Sequence, residues 1–490
     1  MIGRILLCLL AVLLLAVGAA VVHTLLLRRR WRSEGVGEPL PRCSAEDAAR
    51  YGEGLAAMVR IPTVTNAGEE LFERLHIEMA QLFPHVFAVC EKYEWEGNLL
   101  LRWPGKNAQA PAVLLMGHQD VVPAQSEGWR HPPFDAVIED GTLYGRGTLD
   151  CKCTVYAEFQ AVEELMSEGF VPPCDVYLAA SVNEETGGNG ASELVRELQR
   201  RGVRLALALD EGGSLTEPPI AAIKAPFAMV GVQEKGYMDV RIRAKSVGGH
   251  SSTPPHDTPM ARLAAFICEV ERRRPFKKRL SAPVRRMFLR FAPFMPFALQ
   301  LLLTNLWLFG GLVCVILPRL SSYGEALLST TCCFTMAGGS EAANVIPGEA
   351  WVVANLRVSA HENCEKSLEV LKKLGKKYGL EFDVLTARDA SACVDSEGEV
   401  FRFLEGLIRE SFPEVGIAPY LLMGGTDCRH YGAVTENNIR FSPVYMSARQ
   451  VASCHAVNEN ISLWALGEAV RFYEKLLQSW PETKEAETSE

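Results

Sequence analysis

Short apolar runs alternate with longer segments of helical periodicity over the first half of the chain. Ala112–Met116, Asp175–Val182 and Arg204–Leu209 are almost continuously apolar, as strands buried on both faces are. Ala45–Val59, Glu69–Leu82, Tyr156–Ser167 and Ala191–Arg200 repeat their apolar positions every three or four residues. This alternation predicts an α/β sheet with helices on its faces, running over residues 45–235. From about Gly236 the pattern changes. Met238–Lys245 alternates like a half-exposed strand, and Pro259–Arg272 is helical. Ser329–Met336 and Trp351–Val358 are strand-like, Cys364–Tyr378 is an amphipathic helix, and Glu381–Leu385 is a last strand. The order β-α-β-β-α-β predicts a ferredoxin-like α+β domain over 236–388, inserted into the first. Phe401–Ser411 and Ile461–Gln478 are helices that return to the first domain, which resumes over 389–480. The polar, acidic tail 481–490 is expected to be disordered.

Two segments are too apolar for this scheme. Ile5–Leu27 is long enough to span a bilayer and is followed by Arg28, Arg29, Arg30 and Arg32. The N-terminal segment, residues 1–32, is read as an uncleaved anchor in preference to a cleaved signal peptide. A basic flank on the C-terminal side argues for a cytosolic body. Phe294–Leu317 is nearly as apolar, within a stretch of about 275–325 between the first helix and second strand of the inserted domain. It carries Pro296, Gln300, Asn305 and Gly310-Gly311. It is expected to be an apolar insertion that covers a substrate groove, makes a dimer contact or touches the bilayer.

The charge balance is mildly acidic, at −9, so a nucleic-acid partner is not suggested. The 14 cysteines lack the regular spacing of a disulfide framework.

The chemistry gathers where strands end, as it does in parallel sheets. The first strand runs into Gly117-His118-Gln119-Asp120, the second into Asn183-Glu184-Glu185, the third into Asp210-Glu211. Asp150 sits in a turn-rich segment, Gly141–Lys152, and His455 in a polar loop before the last helix. Two histidines and several carboxylates form the nitrogen and oxygen set that borderline and hard divalent metals take. Adjacent Glu184 and Glu185 repel each other unless positive charge lies beside them, and two metal ions would supply it. Cys151, Cys153 and Cys454 are read as small buried neighbours of the site, not ligands.

The motifs GHQDVVP, GRGTLDCK, NEETGG, DEGG, GGHSS, NVIPG, GGTDCRHY and CHAVNE occur in this order. Together they resemble the peptidase M20 family of co-catalytic zinc hydrolases, in the carboxypeptidase S-like branch that also holds N-fatty-acyl-amino acid synthase/hydrolases. The resemblance implies a zinc-exopeptidase-like catalytic α/β domain with an inserted ferredoxin-like lid, which also serves dimerisation. It implies two Zn²⁺ per chain, with Co²⁺ or Mn²⁺ as alternatives, held by His118, Asp150, Glu185, Asp210 and His455. Asp150 matches the bridging position, His118 and Asp210 one metal, Glu185 and His455 the other. Glu184 matches the general base and acid, and Asp120 the residue that orients His118. His250 matches an oxyanion-stabilising histidine, often given by a partner subunit. Asn344, Arg357, Gly425, Thr426 and Arg429 match substrate-binding positions. A membrane span at Phe294–Leu317 would put His455 on the opposite side from the other ligands, which speaks against one. Relatives act in the secretory pathway or outside the cell, so the resemblance favours an extracytoplasmic body.

The sequence departs from the common pattern at Cys151, where a second Asp is frequent, and at Asn183, where an acid is frequent. Neither is a ligand position. The reaction implied is cleavage of an amide bond next to a free α-carboxylate, as in a carboxypeptidase or dipeptidase. An N-(fatty)acyl-amino acid hydrolase is the alternative, suggested by the apolar insertion. A membrane-tethered binding protein without catalysis is the alternative of another class, and intact Glu184 with five intact ligands argues against it.

Overall fold

The computed structural model describes residues 2–31, 42–218, 220, 223 and 225–482. The expected disordered tail lies outside these residues beyond Glu482, as does the link between the N-terminal segment and Arg42.

The largest sheet has ten strands among the described residues. At its centre Val176–Ser181, Ala112–His118, Leu205–Asp210 and Asn438–Arg440 lie side by side and parallel. The first two are buried along their whole length, as their unbroken apolar sequence requires. Register sets His118 level with Ser181, so both strands deliver their following loops to one edge. Lys152–Ser167, Leu463–Gln478 and Ala45–Val59 pack together on one face, and Gly190–Arg200 covers the other.

The second sheet is antiparallel, in the order Thr331–Gly338, Glu349–Val358, Gly236–Lys245, Glu381–Arg388. That order and its two helices, Pro259–Arg273 and Cys364–Gly375, make it ferredoxin-like. Leu263, Phe266 and Val270 recur at helical spacing, and all three are buried against the strands. Phe266 meets Phe334, Tyr378 and Phe382 edge-on.

One part of the fold has no counterpart in the periodicity. A three-stranded side sheet joins Val137–Glu139, Thr142–Tyr144 and Asn460–Ser462. The last helix therefore starts at Leu463, two residues later than expected, with Ser462 capping it. The apolar insertion forms Ala282–Phe291, Phe297–Thr304, Leu306–Leu320 and Ser322–Leu328. Although it springs from the lid, it packs on the catalytic sheet. Ala282–Phe291 lies against Gly416–Leu422, and Phe291 and Phe294 each meet Phe227 edge-on at 4.8 Å.

Phe266→Ala is expected to destabilise the lid by about 3–5 kcal/mol, the usual cost of emptying a buried aromatic site. A urea titration of the full chain followed by tryptophan emission measures it.

Candidate metal centre

His118 is the last residue of its strand and is buried. Its Nδ1 lies 2.9 Å from the backbone carbonyl of Asp120, so that nitrogen carries the proton and donates it. This leaves Nε2 with a free lone pair, 3.0 Å from Asp150 Oδ1. The other oxygen of Asp150 lies 2.9 Å from His455 Nε2, which is also 3.1 Å from Glu185 Oε2. One carboxylate thus faces two imidazoles, one with each oxygen. His118, Asp150 and Glu185 form a three-residue group with ligand atoms mutually within 4.8 Å, and His455 adjoins it.

Asp150 and His455 are 305 residues apart in sequence, and buried Glu459 joins their loops. Its Oε1 accepts the amides of Gly147, Leu149 and Asp150 at 3.1, 2.8 and 3.2 Å. Its Oε2 accepts from Arg146 Nη1 at 2.5 Å. Pairing of Asn460 with Tyr144 in the side sheet continues the same junction.

Asp120 acts on two neighbours. Its carbonyl, not its carboxylate, takes the His118 proton, since the nearest carboxylate oxygen is 3.6 Å away. The carboxylate accepts the amides of Glu184 and Glu185 at 3.1 and 3.3 Å, which fixes the turn that presents both acids. Asn183, at φ 63°, makes that turn in the left-handed region that asparagine tolerates.

The electrostatics call for cations. Burial pushes the Glu184 carboxyl up to about 8. Burial, with Asp427 alongside, pushes Asp210 up to about 7. Burial also raises Glu211 well above the usual carboxylate range, with Asp150 and Asp210 adding to it. Hydrogen bonds donated to Asp150 and Glu185 hold a proton on His455 and raise its pKa to about 10. A proton held so tightly between carboxylates marks a place where a metal ion is at home. Glu185 Oε1 is buried and has no hydrogen-bond partner among the described residues, and such an orphan acceptor is a further mark of a ligand position. The residues present therefore fit a divalent metal.

The remaining expected residues fall into three places. Asp210 ends its strand at the same sheet edge, and its two oxygens accept the amides of Glu211 and Cys428 at 2.8 and 2.7 Å. No contact between Asp210 and the other expected ligands is present among the described residues. Arg429 stands 3.5 Å from Glu184. Thr426 Oγ1 donates to Glu234 at 2.8 Å, and its carbonyl accepts from Arg429 Nη1 at 2.6 Å. A methyl group on Gly425 would meet Arg388 Nη2 at 3.4 Å, Glu234 Oε2 at 3.5 Å and Arg429 Nη1 at 3.6 Å, so two guanidiniums converge there beside one carboxylate. Register places Arg357 and Arg388 on either side of Tyr237, with Arg357 over its ring at 4.9 Å. His250 and Asn344 sit together and exposed on a small ribbon of the lid, where Gly249–His250 pairs with Val345–Ile346. His250 Nδ1 contacts Ser252 Oγ at 2.8 Å, and among the described residues it touches none of the cluster in its own chain.

Sequence reasoning missed Arg388, Glu459 and Asp427. Glu459 ends the CHAVNE motif and was open to notice there. Arg388 lies at the end of a strand whose sequence carries no site signal. Burial, and Arg429 beside it, lower its pKa. Asp427 is buried and accepts from Ser181 Oγ at 2.5 Å. Cys151 and Cys153 are buried, and Cys151 Sγ accepts the His118 amide at 3.1 Å. All 14 cysteines are free.

Comparison with known proteins places the chain. The profile of peptidase family M20/M25/M40 matches residues 114–479. The bovine N-fatty-acyl-amino acid synthase/hydrolase PM20D1 is 34% identical over 447 residues, covering 89% of either chain. Probable carboxypeptidase S-like 2 of Dictyostelium discoideum is 31% identical over 387 residues, 78% of this chain and 74% of that one. Among solved structures, the M20 family metallo-carboxypeptidase Sso-CP2 of Sulfolobus solfataricus superimposes with a TM-score of 0.63 at 18% identity. The superposition covers 87% of this chain and 98% of that chain, and it supports the fold. The matched span runs from the histidine strand through the loop of His455, and this chain belongs to peptidase family M20/M25/M40 as a metallohydrolase of its carboxypeptidase S-like branch.

Proposed function

We propose that the chain is a di-zinc hydrolase of amide bonds that adjoin a free α-carboxylate. The observation that carries this reading is Asp150, with one oxygen toward His118 and the other toward His455, the arrangement of a bridging ligand. His118 and Asp210 would complete one metal site, Glu185 and His455 the other. Each Asp210 oxygen keeps a second lone pair beside the amide it accepts. When bound, zinc supplies Lewis acidity and lowers the pKa of water at the site. The nitrogen and oxygen donors also suit cobalt or manganese.

Glu184 lies beside the cluster and is not needed as a ligand. It takes a proton from the attacking water and hands it to the leaving amine. Cations at the cluster bring its raised pKa down toward the range a general base needs. Arg429 and Arg388 converge at Gly425 and would hold the substrate carboxylate, Arg429 through paired donors. Thr426 fixes that loop, and Arg357 backs Arg388 across Tyr237. His250 and Asn344, exposed on their ribbon, would serve the site of a second copy in a homodimer.

Within this reaction class, N-acyl-amino acids with long acyl chains are the favoured substrates. Met423, next to Gly424-Gly425, packs against the apolar cluster of the insertion, and PM20D1 carries fatty-acyl-amino acids in its name. Carboxypeptidase or dipeptidase action on short peptides is the other reading, favoured by the name of the Dictyostelium relative.

The N-terminal helix, Ile2–Trp31, is apolar and long enough to cross a membrane, and we read it as a retained anchor. Asn305 Nδ2 donates to the Ala20 carbonyl at 3.2 Å and to Thr24 Oγ1 at 3.0 Å. Cleavage of the helix would strip those partners from a buried amide.

Three measurements test this reading. Zinc-loaded full-length protein, given equal dipeptides, N-acetyl- and N-oleoyl-amino acids, should release amino acid chiefly from the oleoyl substrates. Turnover confined to dipeptides would make it a peptidase, and none at all would remove the proposal. Glu184→Gln should keep its metal content while kcat falls roughly 10²–10⁴-fold, followed by elemental analysis and steady-state kinetics. Glu459→Gln sets an NH2 group against either the three backbone donors or the Arg146 guanidinium, and should weaken metal binding about 10–100-fold in chelator competition.

A further inference from the structure

The N-terminal helix touches the rest of the protein along one stripe of its second half. Ala20 and Thr24 are fully buried, whereas the apolar side chains of Ile5–Val12, Leu14 and Leu15 are exposed. The partner of the stripe is Phe297–Thr304 of the insertion. Arg28 stands over the Phe297 ring at 5.5 Å, and Thr24 Oγ1 meets Thr304 Oγ1 at 2.8 Å. The two helices are therefore side by side. Phe297 lies at the level of the basic end of the N-terminal helix, and Asn305 lies deeper, at Ala20.

At Asn305 the insertion turns by 106° into Leu306–Leu320. A break in helical hydrogen bonding is tolerated in hydrocarbon only where protein groups satisfy the freed backbone. Asn305 does this. Its amide donates to the carbonyls of Leu301 and Ala20 and to Thr24 Oγ1, and its Oδ1 lies 3.0 Å from His23 Nδ1 and accepts from Trp307 Nε1 at 3.2 Å. The descent from Phe297 to Asn305 is eight helical residues, about 12 Å. The hydrocarbon core is about 30 Å thick, so the turn lies within one leaflet.

The second arm, Leu306–Leu320, buries Leu306, Gly310 and Val313 against the body. Its opposite face exposes Trp307, Leu312, Val315 and Ile316, at helical spacing and without a charge among them. Arg319 closes the arm, as Arg28 and Arg29 close the N-terminal helix. Cations at the rim of an apolar surface suit the phosphates of lipid headgroups.

We propose that the bent pair Phe297–Leu320 is embedded in one leaflet of a phospholipid bilayer beside the N-terminal helix, and seats the enzyme on the membrane. The buried apolar cluster that continues from this pair to Met423 then ties the substrate loop to the membrane-seated part of the chain. The inference rests on the reading of the N-terminal helix as a retained anchor.

The test uses the full-length protein in vesicles of phosphatidylcholine and phosphatidylglycerol. An environment-sensitive dye is attached through a non-natural residue at Leu312, at Leu14 of the anchor, or at Ile77 on the catalytic domain. All three positions are exposed. Unchanged metal content and thermal transition report that each labelled protein is folded. At Leu312, as at Leu14, the dye should shift to the blue and be quenched by nitroxide on lipid acyl chains, with loss of quenching by aqueous iodide. At Ile77 the reverse is expected. Protein that leaves the vesicles in alkaline carbonate would sink the anchor reading and this inference with it. Retained protein whose Leu312 dye stays open to iodide would overturn the inference alone. So would a dye shielded from both quenchers, which would mean that a second copy covers the surface.

Discussion

Carboxylates held out of water at one edge of a sheet repel each other, and the catalytic half of this protein is built around that repulsion. Glu184, Asp210 and Glu211 are all raised by burial. Such a group ends up protonated or neutralised by a cation. The chain meets the demand from both sides of its sequence. Parallel strands set His118 and Asp210 at one edge, the turn fixed by Asp120 supplies the glutamates, and a loop more than 300 residues from Asp150 brings His455. Glu459 is the clasp, because one buried carboxylate organises three amides of the Asp150 loop while belonging to the His455 loop.

What was legible in the sequence follows from which signals are local. Strands buried on both faces announce themselves as apolar runs, and a polar residue at the end of such a run stands out. His118, Asp210 and the Glu184-Glu185 pair were visible this way. The lid's strand and helix order was visible as a change of period. The side sheet was not, because three-residue strands such as Asn460–Ser462 carry no periodicity and pair across most of the chain. Arg388 was hidden for a similar reason: its partner Arg429 comes from another domain. Asp120 was found, but the division of labour between its carbonyl and its carboxylate depends on a turn geometry that residue type does not encode. The motifs implied roles for His250 and Asn344, and the ribbon that carries them is exposed and lies apart from the cluster of their own chain.

The apolar insertion ties the two domains together. Phe227, Val284, Phe288, Phe291 and Leu328 are all nearly or fully buried in one cluster drawn from lid and sheet. At roughly 1.5–3 kcal/mol per fully buried large side chain, the set is worth on the order of 10 kcal/mol. The single bidentate ion pair of Arg290 with Glu405, partly open to solvent, adds less. Apolar contact therefore decides how firmly the lid is seated.

Lys235 sits at the crossing point between the domains, buried, with its ammonium donating to the carbonyls of Ala326 and Ser329 at 3.0 and 2.8 Å. It pins the end of the insertion to the strand connection from which the lid departs. A hinge clasped in this way, with a wedge driven in beside it, is mechanically stiff. Any movement of the lid against the catalytic sheet has to break those two hydrogen bonds and part the apolar wedge beside them.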